Sequence, residues 1–170
     1  KLDGLGKTAG RVRFNINLPS YRIPFLNQAS DTYFNIGMSN QVSLPLLGSL
    51  SAGGLSVSAG AQVDATNLLT VYNSTISLAS NAVVTASSLR TVSSSTISVA
   101  SDATVIAPSL LTLDSVGVNL TGSGALIASN LAAYRKSYVP FYPGRQALLG
   151  PLSDIYSSQL AVSGGATGRV

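Results

Sequence analysis

The sequence contains no cysteine, histidine, tryptophan or glutamate, and only 9% of its 170 residues are charged. Without cysteine there is neither a disulfide framework nor a thiol site. Without cysteine and histidine, the usual base–nucleophile pairs and transition-metal ligands are missing. No apolar run approaches the roughly 20 residues needed to cross a bilayer. We therefore expect no enzyme, no cofactor, no metal and no membrane insertion.

The few charges are concentrated at the two ends. The net charge is +4, but the stretch from residue 34 to residue 131 carries only Asp64, Arg90, Asp102 and Asp114. A basic stripe is the usual electrostatic footprint of nucleic-acid binding, and none is present. We expect no specific nucleic-acid partner. The first residue is lysine, which suggests either a removed leader or a piece of a longer protein.

What the sequence does have is a repeat. Between residues 34 and 138 a 21-residue unit is written five times: FNIGMSNQVSLPLLGSLSAGG, LSVSAGAQVDATNLLTVYNST, ISLASNAVVTASSLRTVSSST, ISVASDATVIAPSLLTLDSVG and VNLTGSGALIASNLAAYRKSY. Positions 1, 3, 9, 11, 14 and 17 of the unit are apolar. Position 14 is leucine in every copy, at Leu47, Leu68, Leu89, Leu110 and Leu131. Turn-forming residues separate the apolar positions, and Pro45 and Pro108 occupy the same position of the unit.

Three short β-branched runs separated by three corners predict one triangular coil of a parallel β-solenoid. Amphipathic helices are the alternative, but the spacing 1, 3, 9, 11 has period two and Val, Ile, Ser and Thr dominate. The predicted fold is an all-β, three-sided solenoid of five coils over residues 34–138. Residues 1–33 are expected to form a strand segment, and residues 139–170 a short C-terminal cap.

Units such as ISLASNAVVTASSLRTV and ISVASDATVIAPSLLTL resemble the coils of parallel β-solenoids in bacterial surface adhesins and phage tail fibres or spikes. The resemblance is one of architecture and covers residues 34–134. It implies a β-helix and carries over no functional residue.

The N-terminal segment contains the alternation RVRFNINLP, from Arg11 to Pro19, which predicts a strand. This strand either caps the open end of the solenoid or pairs with another subunit. The residues proposed for such an assembly contact are Arg11, Arg13, Phe14 and Ile16.

The C-terminal segment is rich in aromatic residues and is expected to include a short helix. Pro151 suits a first helical turn, and Leu152, Ile155, Tyr156 and Leu160 share one helical face. The aromatic residues could cover the last coil or could contact a partner. Those proposed for assembly are Tyr134, Tyr138, Phe141 and Tyr142.

Position 2 of the unit predicts an uncharged outer ladder. Its members are Asn35, Ser56, Ser77, Ser98 and Asn119. The ladder either provides β-propensity and solubility, or forms a binding face for a sugar or another subunit.

Paired carboxylates remain the only catalytic option, and they must converge from equal or nearby positions of the unit. Asp64, Asp102 and Asp114 fall at three different positions. The sequence therefore favours a non-catalytic structural protein, secreted or carried on a virion, that assembles with itself into a fibre, filament or surface layer. The alternative function is an adhesin-like module that binds a glycan or receptor through the Ser/Thr/Asn face or the Tyr-rich C-terminal segment.

Overall fold

The computed structural model describes the backbone of residues 4–141, 146–162 and 167–169, and the side chains of residues 4–138 and 150–159. Within these residues the chain forms strands joined by short corners, and no helix is present. The strands form three parallel sheets of eight strands each, and the chain visits the sheets in strict rotation. The architecture is a three-sided β-solenoid of about seven turns.

Sheet 1 contains every third strand from the first: β1 Lys7–Thr8, β4 Gln28–Ser30, β7 Ser49–Ser51, β10 Thr70–Tyr72, β13 Thr91–Ser93, β16 Thr112–Asp114, β19 Ala133–Arg135 and β22 Asp154–Tyr156. Sheet 2 follows it: β2 Val12–Ile16, β5 Thr32–Ile36, β8 Gly54–Val57, β11 Thr75–Leu78, β14 Thr96–Val99, β17 Gly117–Leu120, β20 Tyr138–Phe141 and β23 Gln159–Val162. Sheet 3 closes each coil: β3 Ser20–Arg22, β6 Gln41–Ser43, β9 Gln62–Asp64, β12 Val83–Thr85, β15 Thr104–Ile106, β18 Ala125–Ala128, β21 Gln146–Leu149 and β24 Thr167–Arg169.

The register of the sheets follows the 21-residue repeat. Thr70 pairs with Thr91 in sheet 1, and Ala125 pairs with Gln146 in sheet 3. The step from β2 to β5 is one residue shorter, since Val12 pairs with Thr32. Parallel strands stack at about 4.8 Å, so eight strands per sheet give a rod of about 34 Å.

The core is a column of apolar side chains along the rod axis. All six apolar positions predicted from the repeat point inward, and their side chains between Phe34 and Tyr134 are at most 3% exposed. The prediction of a three-sided solenoid is confirmed. Pro45 and Pro108 lie at the corner after sheet 3, as predicted, where no strand needs their missing N–H.

Two details of the prediction are wrong. The solenoid has about seven turns rather than five, because the segments before Phe34 and after Tyr138 continue the same three sheets. The C-terminal helix is absent, and strands β22 and β23 occupy most of that segment. The spacing of Leu152, Ile155, Tyr156 and Leu160 was misread, since a solenoid corner also places inward residues three apart.

A left-handed residue makes each corner between sheets 1 and 2. Its φ lies between 45° and 59° at all eight of these corners, at Arg11, Asp31, Ala52, Asn73, Ser94, Ser115, Lys136 and Ser157. The residue that follows turns inward. In four coils this inward residue is a serine, and we call Ser74, Ser95, Ser137 and Ser158 the serine ladder.

Each serine of the ladder links two coils. Its Oγ accepts the N–H of the equivalent residue in the preceding coil at 3.0–3.2 Å. Its hydroxyl donates to the carbonyl two residues earlier, at 2.6–3.0 Å. Ser74, Ser95 and Ser137 are at most 6% exposed. The ladder therefore satisfies backbone donors in the corner that would otherwise be buried without an acceptor.

Candidate functional site: the outer faces and the two ends

The predicted position-2 ladder lies on the outer face of sheet 2. Ser56, Ser77 and Ser98 are in direct register with one another, and Asn35 and Asn119 flank them. The side chains are exposed or half-buried. Asn15 extends the ladder by one coil, since Asn35 Nδ2 donates to Asn15 Oδ1 at 2.7 Å. The result is a narrow polar strip that runs along the rod without a charged side chain.

A second column of sheet 2 runs beside this strip and places a tyrosine near each end. Tyr33 and Tyr138 are 40% and 38% exposed. Between them the column consists of glycine and threonine. The Arg13 guanidinium carbon lies 5.8 Å from the centre of the Tyr33 ring, within cation–π distance. Aromatic rings therefore border the strip at both ends.

The N-terminal assembly residues occupy three different environments. The side chains of Arg11 and Arg13 are exposed, and the backbone N–H of Arg11 donates to Asp31 Oδ2 at 2.7 Å. Phe14 is half-buried and stacks on Phe34, with ring centres 5.1 Å apart and an interplanar angle of 11°. Ile16 is only 5% exposed and belongs to the core. Arg11 and Arg13 are thus the members of this set that face solvent.

The C-terminal assembly residues are also divided. Tyr134 is fully buried in the axial column, and its hydroxyl oxygen lies 3.5 Å from the Gln159 carbonyl. Burial, together with the nearby Tyr138, raises the pKa of the Tyr134 hydroxyl well above its usual range. Tyr138 faces outward. The Phe141 side chain and the whole of Tyr142 lie outside the described residues. Tyr134 therefore acts through packing within its own chain, and the two predicted assembly clusters lie at opposite ends of the rod.

The C-terminal end exposes a residue that the sequence interpretation had assigned to a helix. Ile155 lies in the axial column of sheet 1, directly after Tyr134. It is 57% exposed, whereas the six hydrophobic side chains that precede it in this column, from Ala29 to Tyr134, are at most 2% exposed. The neighbouring Tyr156 is 61% exposed. The 21-residue spacing from Leu113 and Tyr134 was the signal that could have found Ile155.

The C-terminal end also carries a charged cluster. Both Nε and Nη2 of Arg135 donate to Oδ2 of Asp154, the former at 2.8 Å. The hydrogen bond and the charge of Asp154 raise the pKa of the Arg135 guanidinium, and Asp114 adds to the effect. Arg135 and Asp154 line a depression in the surface, and Lys136 and Tyr156 lie at its border. The cluster lies on the outer side of sheet 1.

The N-terminal end is also open within the described residues. Strands β1, β2 and β3 each have a strand neighbour on one side only. A cavity of about 190 Å³ between sheets 2 and 3 is lined by Phe14, Ile16, Leu18 and Tyr21 together with Asn15 and Asn17. Leu18 and Phe25 are 54% and 51% exposed. Both ends therefore combine unpaired strand edges with accessible apolar side chains.

Sheet 3 holds a depression with a volume of about 360 Å³. Gln41 and Gln62 stack in its floor, and Arg22, Asp64 and Val83 lie beside them. No functional expectation for this face follows from the sequence pattern.

The three aspartates considered for catalysis are spread around the rod. Asp64 is on sheet 3, Asp102 is at the corner between sheets 2 and 3, and Asp114 is on sheet 1. Among residues 4–141, 146–162 and 167–169 there is no group of three acidic residues that could hold a metal ion. The same part of the chain contains no helix long and apolar enough to cross a membrane.

Searches for related proteins returned no matching family, no matching characterised protein and no matching solved structure.

Proposed function

We propose that this chain is a non-catalytic, extracellular or virion-borne structural protein that assembles end to end into a fibre or filament. The observation that supports the proposal best is the exposure of Ile155. A side chain that continues an otherwise buried axial column is accessible at one end of the rod. A second copy stacked on that end would bury it.

Edge strands explain why such stacking is favourable. An unpaired strand presents a row of N–H and C=O groups that can template another strand. All three sheets of the solenoid end this way at both described ends. Burial of the exposed part of Ile155 adds about 1–2 kcal/mol. Association costs at least ~4 kcal/mol in lost rigid-body freedom, so the oligomers should depend strongly on protein concentration.

The absence of charge on the polar strip of sheet 2 also supports the proposed end-to-end assembly. The polar strip of sheet 2 carries no charge, so neighbouring coils and neighbouring copies do not repel one another there. Side-chain hydrogen bonds such as the one between Asn35 and Asn15 can continue along a stack.

The test is sedimentation velocity over a hundredfold range of protein concentration, comparing the original chain with two variants. Ile155→Asp places a charge in the proposed joint and should abolish the large species. Leu111→Asp is the matched control, because Leu111 is a 40% exposed side chain on the side of the rod, and it should leave assembly unchanged. Equal sedimentation of the two variants would contradict the proposal.

A second candidate function is binding of a glycan or receptor along sheet 2. It is favoured by the flat polar strip with Tyr33 and Tyr138 near its ends, since aromatic rings and hydroxyl or amide groups are suited to sugars. A glycan array with the original chain would provide a ligand. Replacement of Ser77 and Ser98 by lysine should then abolish binding, whereas Thr91→Lys on sheet 1 should not.

A further inference from the structure

The two ends of the described rod can be joined in the register of the internal repeat. Sheet 1 begins with β1 and ends with β22, and all strands are parallel, so β1 of one copy can pair with β22 of another without any change of direction. Residues 7, 28, 49 and so on to 133 and 154 form one outward column of sheet 1. Lys7 begins this column and Asp154 ends it.

We propose that copies of this chain join head to tail in the register of the internal repeat, with Lys7 of one copy opposite Asp154 of the next. This inference rests on the end-to-end assembly proposed above and specifies its joint. The partner is therefore a second copy of the same chain, and the recognition chemistry is a Lys–Asp ion pair beside paired strand edges.

The charges at the two ends are complementary in this register. Both hydrogen bonds from Arg135 go to Oδ2 of Asp154, which leaves Oδ1 to accept a bond from a second cation. Lys7 is exposed, and its neighbour in the same column is the uncharged Gln28. Stacked copies would place Lys7 beside Asp154 at about 4.8 Å between backbones, which is within reach of an ion pair.

The inward side of the same strands agrees with this register. Ile155 would lie opposite Thr8, which is the first inward residue of its column and is 7% exposed. Thr8 is therefore already covered in a single copy, and its hydroxyl accepts a hydrogen bond from Thr32 at 2.8 Å. The register is carried by the outward column and the strand edges rather than by a contact between Ile155 and Thr8. A shift of one residue would set the inward Ile155 opposite an outward residue of the next copy, which the alternation of strand side chains disfavours.

A cysteine cross-link tests the register directly, because the chain contains no cysteine of its own. In Lys7→Cys/Asp154→Cys the two thiols are about 34 Å apart within one copy but about 4.8 Å apart, measured between Cα atoms, across the proposed joint. Mild oxidation should give a ladder of multimers on a non-reducing gel. Lys7→Cys/Tyr156→Cys is the matched control, since a shift of two residues separates the Cα atoms by about 8 Å, too far for a disulfide.

Charge reversal tests the ion pair in the same setting. Lys7→Asp and Asp154→Lys should each weaken association about fivefold at low salt, and the double reversal should restore it. High salt should reduce these differences.

The results of these experiments distinguish failure of the proposed register from failure of end-to-end assembly. Multimers in the Lys7→Cys/Asp154→Cys variant but not in its control, with rescue by the double reversal, are the expected result. A dimer from Asp154→Cys alone would show a tail-to-tail joint and overturn the register while leaving end contact intact. Oligomers of the original chain that are insensitive to all charge reversals would also overturn it. The absence of oligomers at every concentration would overturn both the register and the proposed function.

Discussion

Replacing Ser95 with alanine removes one rung of the serine ladder. Ser95 Oγ accepts the Ser74 N–H at 3.0 Å and donates to the Ser93 carbonyl at 2.6 Å. The Ser93 carbonyl keeps a second donor, the Asn73 N–H at 3.1 Å. The Ser74 N–H, however, is left in a buried corner without an acceptor. An orphaned buried donor costs about 1–3 kcal/mol, so the free energy of unfolding should fall by that amount.

The measurement is urea denaturation followed by circular dichroism. With an m-value of about 2 kcal/mol/M, the midpoint should fall by about 0.5–1.5 M. Ser98→Ala is the matched control, because Ser98 faces outward in the same coil. It should change the free energy of unfolding by less than about 0.5 kcal/mol. Hydrogen exchange should also show faster exchange of the Ser74 amide in the Ser95→Ala variant. Equal midpoints for the two variants, with unchanged exchange at Ser74, would refute the role assigned to the ladder.

Three further predictions concern the core, the glycines and the buried tyrosine. Leu110→Ala should lower the free energy of unfolding by about 2–5 kcal/mol, because Leu110 is fully buried. Leu111→Ala should have little effect, because Leu111 is 40% exposed. Equal denaturation midpoints for the two variants would contradict the inward assignment of Leu110. Gly124→Ala should destabilise the rod, since a Cβ at this position would lie 2.6 Å from two backbone carbonyl oxygens of the preceding coil. Gly117→Ala should be tolerated, because no atom lies within 4 Å of a Cβ at that position. Thermal melts of the two variants should therefore show a lower melting temperature for Gly124→Ala only. The pKa of Tyr134 is raised in the folded chain, so above about pH 10 the unfolded chain binds fewer protons and the free energy of unfolding should fall as pH rises. Urea midpoints measured at pH 9 and pH 11 should differ less in Tyr134→Phe than in the original chain, and the prediction fails if the difference is unchanged.

The inward columns could be predicted from the sequence because the physical constraint is simple. A side chain on the axis has no access to water and little space, so Leu, Val, Ile and Ala recur at fixed spacing. Leu68, Leu89 and Leu110 illustrate this, since all three are at most 1% exposed. The period of two within strands then distinguished the solenoid from a set of helices.

The number of coils could not be predicted in the same way. Stacking is a property of the backbone, and the end coils keep it although their side chains depart from the repeat. Tyr134 fits the axial column as well as Leu113 does, and β2 pairs with β5 at a spacing of 20 residues instead of 21. The false helix has a related origin. Leu152 and Ile155 lie on the two sides of the corner that precedes β22, where the alternation of the strands is interrupted, so their spacing of three residues resembles a helical face.

The serine ladder was missed for another reason. Serine, asparagine and glycine near a corner are typical of turns, and their composition alone does not indicate which residue points inward. Ser74, Ser95 and Ser137 lie at 21- or 42-residue intervals, which was the available signal. The proposed pairing of Lys7 with Asp154 could be inferred only from the full strand order, because both residues lie outside the stretch in which the repeat was recognised.

Negative-stain electron microscopy of the purified chain at low and high concentration tests the end-to-end assembly most directly. A single copy is a rod about 34 Å long. End-to-end assembly predicts particles of constant width whose length grows with concentration in steps of about 38 Å, because each added copy contributes eight strands per sheet at about 4.8 Å. Ile155→Asp should give shorter particles. Compact particles of one length at every concentration would contradict it.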